Sequence, residues 1–484
     1  MKIYDSVELH KWDAYTITHE PILSIDLMER ASLLCSEHIQ AEHDITKFTI
    51  VCGMGNNGGD GLAIARTLAE SDCEIEVVIL QYSNQHTEDF DFNLARLPKS
   101  IPITWLTETS YLFNFQGKHV IDCIFGTGLN RPLTGWIKSV VQQINAGSRL
   151  TISIDIPSGL FPVNNTGNDL DAIVKANETL SLQSPKMSFF YQRYAPLVGD
   201  FTVINIHLLD NFNEPAFADY LTAANIQLKQ QEQFAHKGNN GYLMLIGGLE
   251  EMGGAIMLSA KAAFRTGCGY VGVRSNENHY GQMLKVIPEA LFIKEDAIPD
   301  KATAIAIGPG LSQTKEAKHL LGIAFQSDLP LVIDADAINV MVKKGLTPPK
   351  NSILTPHLGE LKELLGDWNG PEDCLEKQRF YAVNHQVYVL QKGAYSKICS
   401  PEGEVFVNST GNANMAKAGM GDTLTGIIGS FLAQGYSALE AIKAGVFLHG
   451  MAGDIASETL GTSLIPSDVI EAIPNALKSI KNQI

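Results

Sequence analysis

Long apolar runs are missing from this chain. Nowhere in its 484 residues is there a stretch of about 18 uncharged apolar residues, so no membrane-spanning helix is expected. The opening Met1-Lys2-Ile3-Tyr4-Asp5-Ser6-Val7-Glu8 is acidic and polar where a secretory leader needs an apolar core, and a cytoplasmic location is the expectation. Paired cysteines are missing too. The seven, at 35, 52, 73, 123, 268, 374 and 399, are odd in number and scattered, and none forms C-x-x-C. That pattern excludes a disulfide framework or a zinc ribbon and fits reduced thiols. Basic charge is scarce. The 36 Lys and Arg against 53 Asp and Glu leave a net −17, which argues against a protein that coats nucleic acid. The 42 glycines show no Gly-X-Y period, so they belong to turns and not to collagen.

What is present is ordinary globular composition, 45% hydrophobic and 18% charged, with enough apolar material for sizeable cores. At ~150 residues per domain the length suggests two or three domains. Apolar runs alternate with amphipathic stretches. Strands are expected at Phe48–Cys52, Ile75–Leu80, Val120–Asp122 and Thr151–Asp155, with a late pair near Glu178–Leu180 and Phe201–Ile206, and a helix at Gly61–Glu70. Short apolar strands spaced by helices imply a doubly wound parallel sheet covered on both faces, a Rossmann-like arrangement. From Asp210 to Ala235 the pattern dissolves into polar, Gln-rich sequence, the best linker. The rhythm then restarts at Tyr242–Ile246 and continues at Ala304–Ile307, Leu331–Ile333, Ser352–Leu354 and Val387–Leu390, ending in a helical region over Gly421–Glu458. The expectation is two α/β domains, at 1–213 and 222–484.

In open parallel sheets ligands bind beyond the carboxyl ends of the strands, so the residues just past each strand end carry the chemistry. Past the first strand stands Gly53-Met54-Gly55-Asn56-Asn57-Gly58-Gly59-Asp60-Gly61. Its G-x-G-x-x-G match also fits an ordinary βα turn. The two Asn and the Asp inside five glycines offer donors and oxygen acceptors suited to a phosphate, a sugar or a hard cation. Two further strands end in Asp122 and Asp155. One strand-end Asp is an ordinary helix cap; three such loops at one sheet edge would converge on a cleft. In the second half, Ile307-Gly308-Pro309-Gly310, Ile333-Asp334-Ala335-Asp336, Thr355-Pro356-His357-Leu358-Gly359-Glu360 and Lys392-Gly393-Ala394 stand at strand ends, and Ala418-Gly419-Met420-Gly421-Asp422 opens a helix. A glycine turn before a helix presents free N–H groups and a positive dipole end to an anion. Asp422 beside it can accept a proton from a hydroxyl that attacks a phosphoryl group, or can simply cap the helix.

Asn-Asn-Gly-Gly-Asp-Gly, then Phe125-Gly126-Thr127-Gly128, then Asp155-Ile156-Pro157-Ser158-Gly159, together with Leu27-Met28-Glu29-Arg30-Ala31, resemble the NAD(P)H-hydrate epimerase domain over residues 1–210. The resemblance implies that Asn56, Asn57, Gly58, Gly59 and Asp60 hold a hydrated dinucleotide together with Gly126, Thr127, Gly128, Leu129, Asn130, Arg131 and Pro132. It implies that Asn57, Asp122 and Ser158 bind potassium, and that Asp155 contacts substrate as the acid–base group.

From about residue 225 the Gly-x-Gly-Asp turn resembles the ribokinase-like superfamily. His236-Lys237-Gly238, Thr355-Pro356-His357-x-Gly359-Glu360 and Gly-Met-Gly-Asp are similar to the ADP-dependent NAD(P)H-hydrate dehydratases, except that Leu358 stands where proline is expected. Here the resemblance implies Ala255, Gly310, His357 and Asp422 around the hydrate, and Lys392, Gly393, Ala394, Tyr395, Ser396 and Gly421 around the nucleotide, with Mg2+ on the ADP phosphates. The fused order is like that of bacterial bifunctional repair enzymes. It implies metabolite repair: an isomerase for the R and S epimers of NADHX and NADPHX at C6, and a lyase that removes water from the S epimer while ADP becomes AMP and phosphate. A homo-oligomer with small-molecule substrates and no nucleic-acid or membrane partner is expected. The alternative is a ribokinase-like kinase of a small alcohol with a non-catalytic N-terminal binding module.

Overall fold

The computed structural model describes residues 1–230, 233–234 and 236–483. The chain divides into two compact units, Lys2–Ala218 and Asp219–Ile484, with Met1 grouped with the second. The first unit begins with a two-residue strand, Lys2–Ile3 (β1), and then builds one sheet from Lys47–Cys52 (β2), Glu74–Leu80 (β3), Ile103–Leu106 (β4), His119–Cys123 (β5), Leu150–Ile154 (β6), Glu178–Leu182 (β7) and Asp200–Ile204 (β8). All seven run parallel, in the order β4-β3-β2-β5-β6-β7-β8. The strand order reverses direction at β2, so β2 and β5 flank the switch point where such sheets open a crevice. Val51 pairs with Asp122 and Cys52 with Cys123, and β6 lies on the far side of β5. The three motif-bearing strand ends are therefore neighbours.

The helix after β2 starts at Asn56, not at the expected Gly61, and runs to Glu70. The glycines that suggest a loop are the reason it fits as a helix. A Cβ at Gly58 would lie 2.0 Å from the Gly53 carbonyl oxygen, so only glycine lets the first turn pack onto the strand end. Strand β4 is absent from the sequence reading because this short edge strand leaves Ile103, Thr104 and Trp105 exposed and carries no apolar run.

The second unit orders its strands as Ala218–Tyr220 (β9), Val405–Val407 (β18), Lys397–Cys399 (β17), Tyr388–Gln391 (β16), Ile353–Leu354 (β15), Leu331–Ile333 (β14), Ala304–Ile307 (β13), Tyr242–Ile246 (β10), Tyr270–Arg274 (β11) and Leu291–Ile293 (β12). β17 is antiparallel to both neighbours and the other pairings are parallel. Strands β11, β12, β17 and β18 escape periodicity because they span only three to five residues, and Gly272 interrupts β11. The polar stretch from Asp210 is not a free linker throughout. Asp219 and Tyr220 pair with Phe406 and Val407, and Leu221 and Ile226 are buried in the core of the second unit. This unit thus begins ahead of the expected 222. Gln231, Glu232 and Ala235 of that stretch lie outside the described residues.

The helical region expected over 421–458 is two helices, Met420–Ala433 and Ala438–Leu460. Gly435 at φ +80° ends the first. The second restarts with a capping box, in which Ser437 Oγ accepts from the Glu440 N–H and Glu440 Oε2 accepts from the Ser437 N–H. Among the described residues no helix is long and apolar enough to cross a membrane.

Gly58→Ala is expected to lower the stability of the first unit by about 1–3 kcal/mol, the usual penalty of forcing a methyl into a packed backbone contact. Chemical unfolding of the two proteins checks this, and an unchanged midpoint would contradict the packing role.

Candidate active sites

Beyond the carboxyl ends of β2, β5 and β6 lies a cavity of about 720 Å³. Asn56, Asn57, Asp60, the whole loop Gly126–Pro132 and Asp155 line it together, as sheet adjacency requires. Gly58 and Gly59 do not; they face the Gly53 backbone and the Met28 side chain inside the fold. A smaller cavity of about 270 Å³ shares Asn56, Asp60, Thr127 and Asp155 with it and adds Leu27, Met28, Ile206 and Lys186.

Asp122 is fully buried. Its carboxylate accepts from Ser158 Oγ at 2.6 Å, the Ser158 N–H at 2.9 Å, Ser153 Oγ at 2.8 Å and the Ile124 N–H at 3.2 Å. Burial still raises its pKa above the usual carboxylate range, because desolvation outweighs those four bonds. Ser158 Oγ in turn accepts from the Phe125 N–H at 2.8 Å, which ties this cluster to the 126–132 loop. On the other side of that loop, Asn57 lies against Gly126, and both atoms of its buried amide lack a hydrogen-bond partner among the described residues. A buried amide with neither end satisfied calls for a partner that the chain does not itself supply. Carbonyl, hydroxyl and carboxylate oxygens are the donors a hard cation takes; Asn57, Ser158 and Asp122 are of those types, with Asn57 alone of the three lacking a hydrogen-bond partner among the described residues.

Asp155 stands just past β6 with φ +70°, a left-handed conformation that costs energy at a non-glycine residue and marks functional positions. The bend turns its carboxylate into the cavity. Oδ1 pairs with Lys186 Nζ at 2.7 Å and Oδ2 accepts from the Thr127 N–H at 3.0 Å. Lys186 is 1% exposed. Its ammonium also donates to Ser181 Oγ and to the carbonyls of Leu182 and Ser184, at 2.9–3.1 Å. Sequence reasoning misses Lys186, although it too stands just past a strand, β7. It also misses His10 and Asp13, which reach both cavities from the helix Ser6–His19; that helix lies far from the motifs in sequence, and no pattern flags it.

In the second unit Gly419, at φ +93°, turns the chain into the helix Met420–Ala433, and Asp422 stands in the first turn. Only glycine adopts that turn cheaply. Just past β14 stands Asp334, which is buried and accepts from Lys392 Nζ at 2.6 Å and Thr425 Oγ1 at 2.6 Å. A Cβ on Gly421 would meet the same Lys392 ammonium at 3.2 Å, so this lysine borders the glycine turn. Gly393 and Ala394 continue as an exposed turn beyond it, with Tyr395 and Ser396 half-buried. Burial and the Asp334 charge push Asp422 up to about 6, against the opposing Lys392 charge. Gly310 packs against Met252 and Ala255, which brings two expected hydrate residues together.

His357 caps the helix Leu358–Leu365. Its Nδ1 accepts from the N–H groups of Gly359 and Glu360, and its Nε2 lies 3.3 Å from Glu360 Oε1. Leu358 occupies the first helical position, where proline is equally at home, which explains that departure. His449, buried and pushed down to about 4 by desolvation and by Lys392, stands neutral near the same turn. Among the described residues no three His, Cys, Asp or Glu side chains form a metal cluster.

Two α/β units, one with a cavity at its topological switch point and one with a glycine turn that opens a helix beside Asp422 and Lys392, define a fused two-domain α/β enzyme. The family described as NAD(P)H-hydrate dehydratase matches residues 243–475, and that described as YjeF-related protein N-terminus matches residues 24–188. A bifunctional NAD(P)H-hydrate repair enzyme from Moorella thermoacetica is 32% identical over 525 residues, covering 100% of this chain and 98% of the relative. One from Coxiella burnetii is 33% identical over 444 residues, covering 87% of this chain and 89% of its own. The solved ADP/ATP-dependent NAD(P)H-hydrate dehydratase from Bacillus subtilis, co-crystallised with ATP and Mg2+, superposes with a TM-score of 0.50 at 28% identity, over 54% of this chain and 99% of its own. The chain belongs to the bifunctional NAD(P)H-hydrate repair enzyme family, as its motifs imply, and the small-alcohol kinase is not favoured.

Lys186→Met is expected to strand the Asp155 charge and cost about 3–5 kcal/mol of stability, as breaking one side of a buried pair does. Lys186→Met combined with Asp155→Asn recovers part of that loss. Denaturant unfolding of both variants measures it, and a single variant as stable as wild type would contradict the pairing.

Proposed function

We propose that this chain restores hydrated NADH and NADPH in two steps. The first unit interconverts the R and S epimers at C6, and the second dehydrates the S epimer at the expense of ADP. The observation that supports this best is that each unit gathers carboxylates and a lysine beside its motif loops: Asp155 with Lys186 and the Thr127 N–H in one, Asp422 with Asp334 and Lys392 in the other.

In the first unit, Asn56, Asn57, Asp60 and the loop Gly126–Pro132 hold the dinucleotide, and Asp155 moves a proton at the C6 hydroxyl. Asn57, Asp122 and Ser158 would hold potassium, which would supply a positive charge beside the 126–132 loop. In the second unit, Ala255, Gly310 and His357 seat the hydrate against Asp422. Lys392–Ser396 and Gly421 hold the ADP, with Mg2+ as counter-ion on its phosphates. Asp422 accepts the proton of the C6 hydroxyl as that oxygen takes the terminal phosphoryl of ADP. The N–H groups of the Gly419–Gly421 turn, with Lys392 at their edge, stabilise the charge on the transferring group. AMP leaves, the C6–O bond then breaks with departure of phosphate, and loss of a C5 proton restores the dihydronicotinamide. A cytoplasmic homo-oligomer completes the proposal.

Asp422→Asn is expected to slow NADH formation from the S epimer by about 100-fold or more, while chromatography still shows R and S interconverting. Asp155→Asn gives the converse pattern. Wild-type turnover in either variant would remove that residue from its role. Because Asp422 must be ionised to accept a proton and titrates at about 6, dehydration should fall as pH drops through that value. A rate flat across pH 5–7 would contradict this role. Replacing potassium with a bulky organic cation should slow epimerisation and leave dehydration of the pure S epimer unchanged.

A further inference from the structure

We propose that Asp13 is a second catalytic acid–base residue of the N-terminal cavity, exchanging a proton with the substrate's C6 carbinolamine in partnership with Asp155. This rests on the epimerase reading above.

Asp13 stands on the helix Ser6–His19, and Asp155 at the end of β6, yet both line the 720 Å³ cavity and its 270 Å³ neighbour. The two carboxyls are in opposite situations. Both oxygens of Asp155 are committed, one to the Lys186 ammonium and one to the Thr127 N–H. Asp13 takes part in no hydrogen bond or ion pair among the described residues, although it is only partly exposed. The charged and titratable groups that face it are His10 on its own helix, Asp60 on the helix Asn56–Glu70, Asp155, and Lys186 beyond β7. Burial and the Asp155 charge push Asp13 up to about 6, while His10 and Lys186 act against the rise. A pair of carboxyls with separated proton affinities is how one cavity supplies an acid and a base at the same time.

The chemistry asks for both. C6 carries a hydroxyl and is bonded to the ring nitrogen. Protonated Asp13 gives its proton to that hydroxyl. The C6–O bond breaks with its electron pair on the departing water, and the ring-nitrogen lone pair forms C6=N. A solvent water then adds to the other face of C6, the C=N pair returns to nitrogen, and the Asp155 carboxylate takes the released proton. One water leaves and one enters, one proton is given and one taken, and the configuration at C6 is inverted. The reverse direction exchanges the two roles.

The test uses the full-length chain and pure R epimer. Wild type, Asp13→Asn and Asp13→Glu are compared for kcat and KM across pH, with ADP-dependent dehydration of the S epimer as the control that the chain is folded. Asp13→Asn should lose about 100-fold or more in kcat with KM and S dehydration unchanged. It should also lose the fall in R conversion that wild type shows as pH rises through about 6. Asp13→Glu should restore part of the rate with that fall displaced. Near-wild-type kcat in Asp13→Asn, or a loss confined to KM with the pH dependence intact, would overturn the proposal. A wild-type chain that leaves the R epimer untouched would overturn the epimerase reading itself, a result visible before any variant is made.

Discussion

A lysine paired to a buried strand-end aspartate is the interaction on which both candidate sites depend. Lys186 holds Asp155 at 2.7 Å in the first unit, and Lys392 holds Asp334 at 2.6 Å in the second. A charge so far from water is tolerated only when paired and hydrogen-bonded. Each pair therefore fixes where its strand-end loop stands, and the loop carries the rest of the site. Each also places an ion-paired carboxyl group near a second carboxyl that has no ion pair of its own among the described residues. That second group, Asp13 in one unit and Asp422 in the other, is pushed up to about 6 in both. Two α/β units thus arrive at the same electrostatic arrangement, an ion-paired carboxyl near one whose pKa burial and charge push up to about 6.

The net charge of −17 is no obstacle to anionic ligands, because attraction at this range is local. In the second unit the glycine turn opens the helix that carries Asp422, and the Lys392 ammonium borders it. In the first, Arg131 and the backbone of the 126–132 loop face the larger cavity, while apolar Leu27, Met28 and Ile206 face the smaller one.

Much of this was legible in the sequence because the chemistry sits at strand ends. An apolar run ending in Asp marks both an element and its functional end, which is how Asp122, Asp155 and Asp334 could be found, and the Gly419 turn stands out as glycines opening a helix. What was not legible arrives from elsewhere in the chain. Asp13 sits on an amphipathic helix with nothing to set it apart, and Lys186 gains its meaning only from burial. The glycines of the first motif misled in one respect: they suggest a loop through Asp60, whereas Gly58 serves tight helix packing and the helix starts at Asn56. Short strands such as β17 and β18 are set by their partners in the sheet and leave no periodicity to read.

The central claim is that one chain carries both activities. Its most direct test tracks the absorbance of reduced nicotinamide when the purified protein meets a mixture of R- and S-NADHX with potassium, Mg2+ and ADP. The account predicts full recovery, because the R epimer is converted as the S epimer is consumed. A plateau at the S fraction, with the R epimer disappearing no faster than it does without protein, would contradict it.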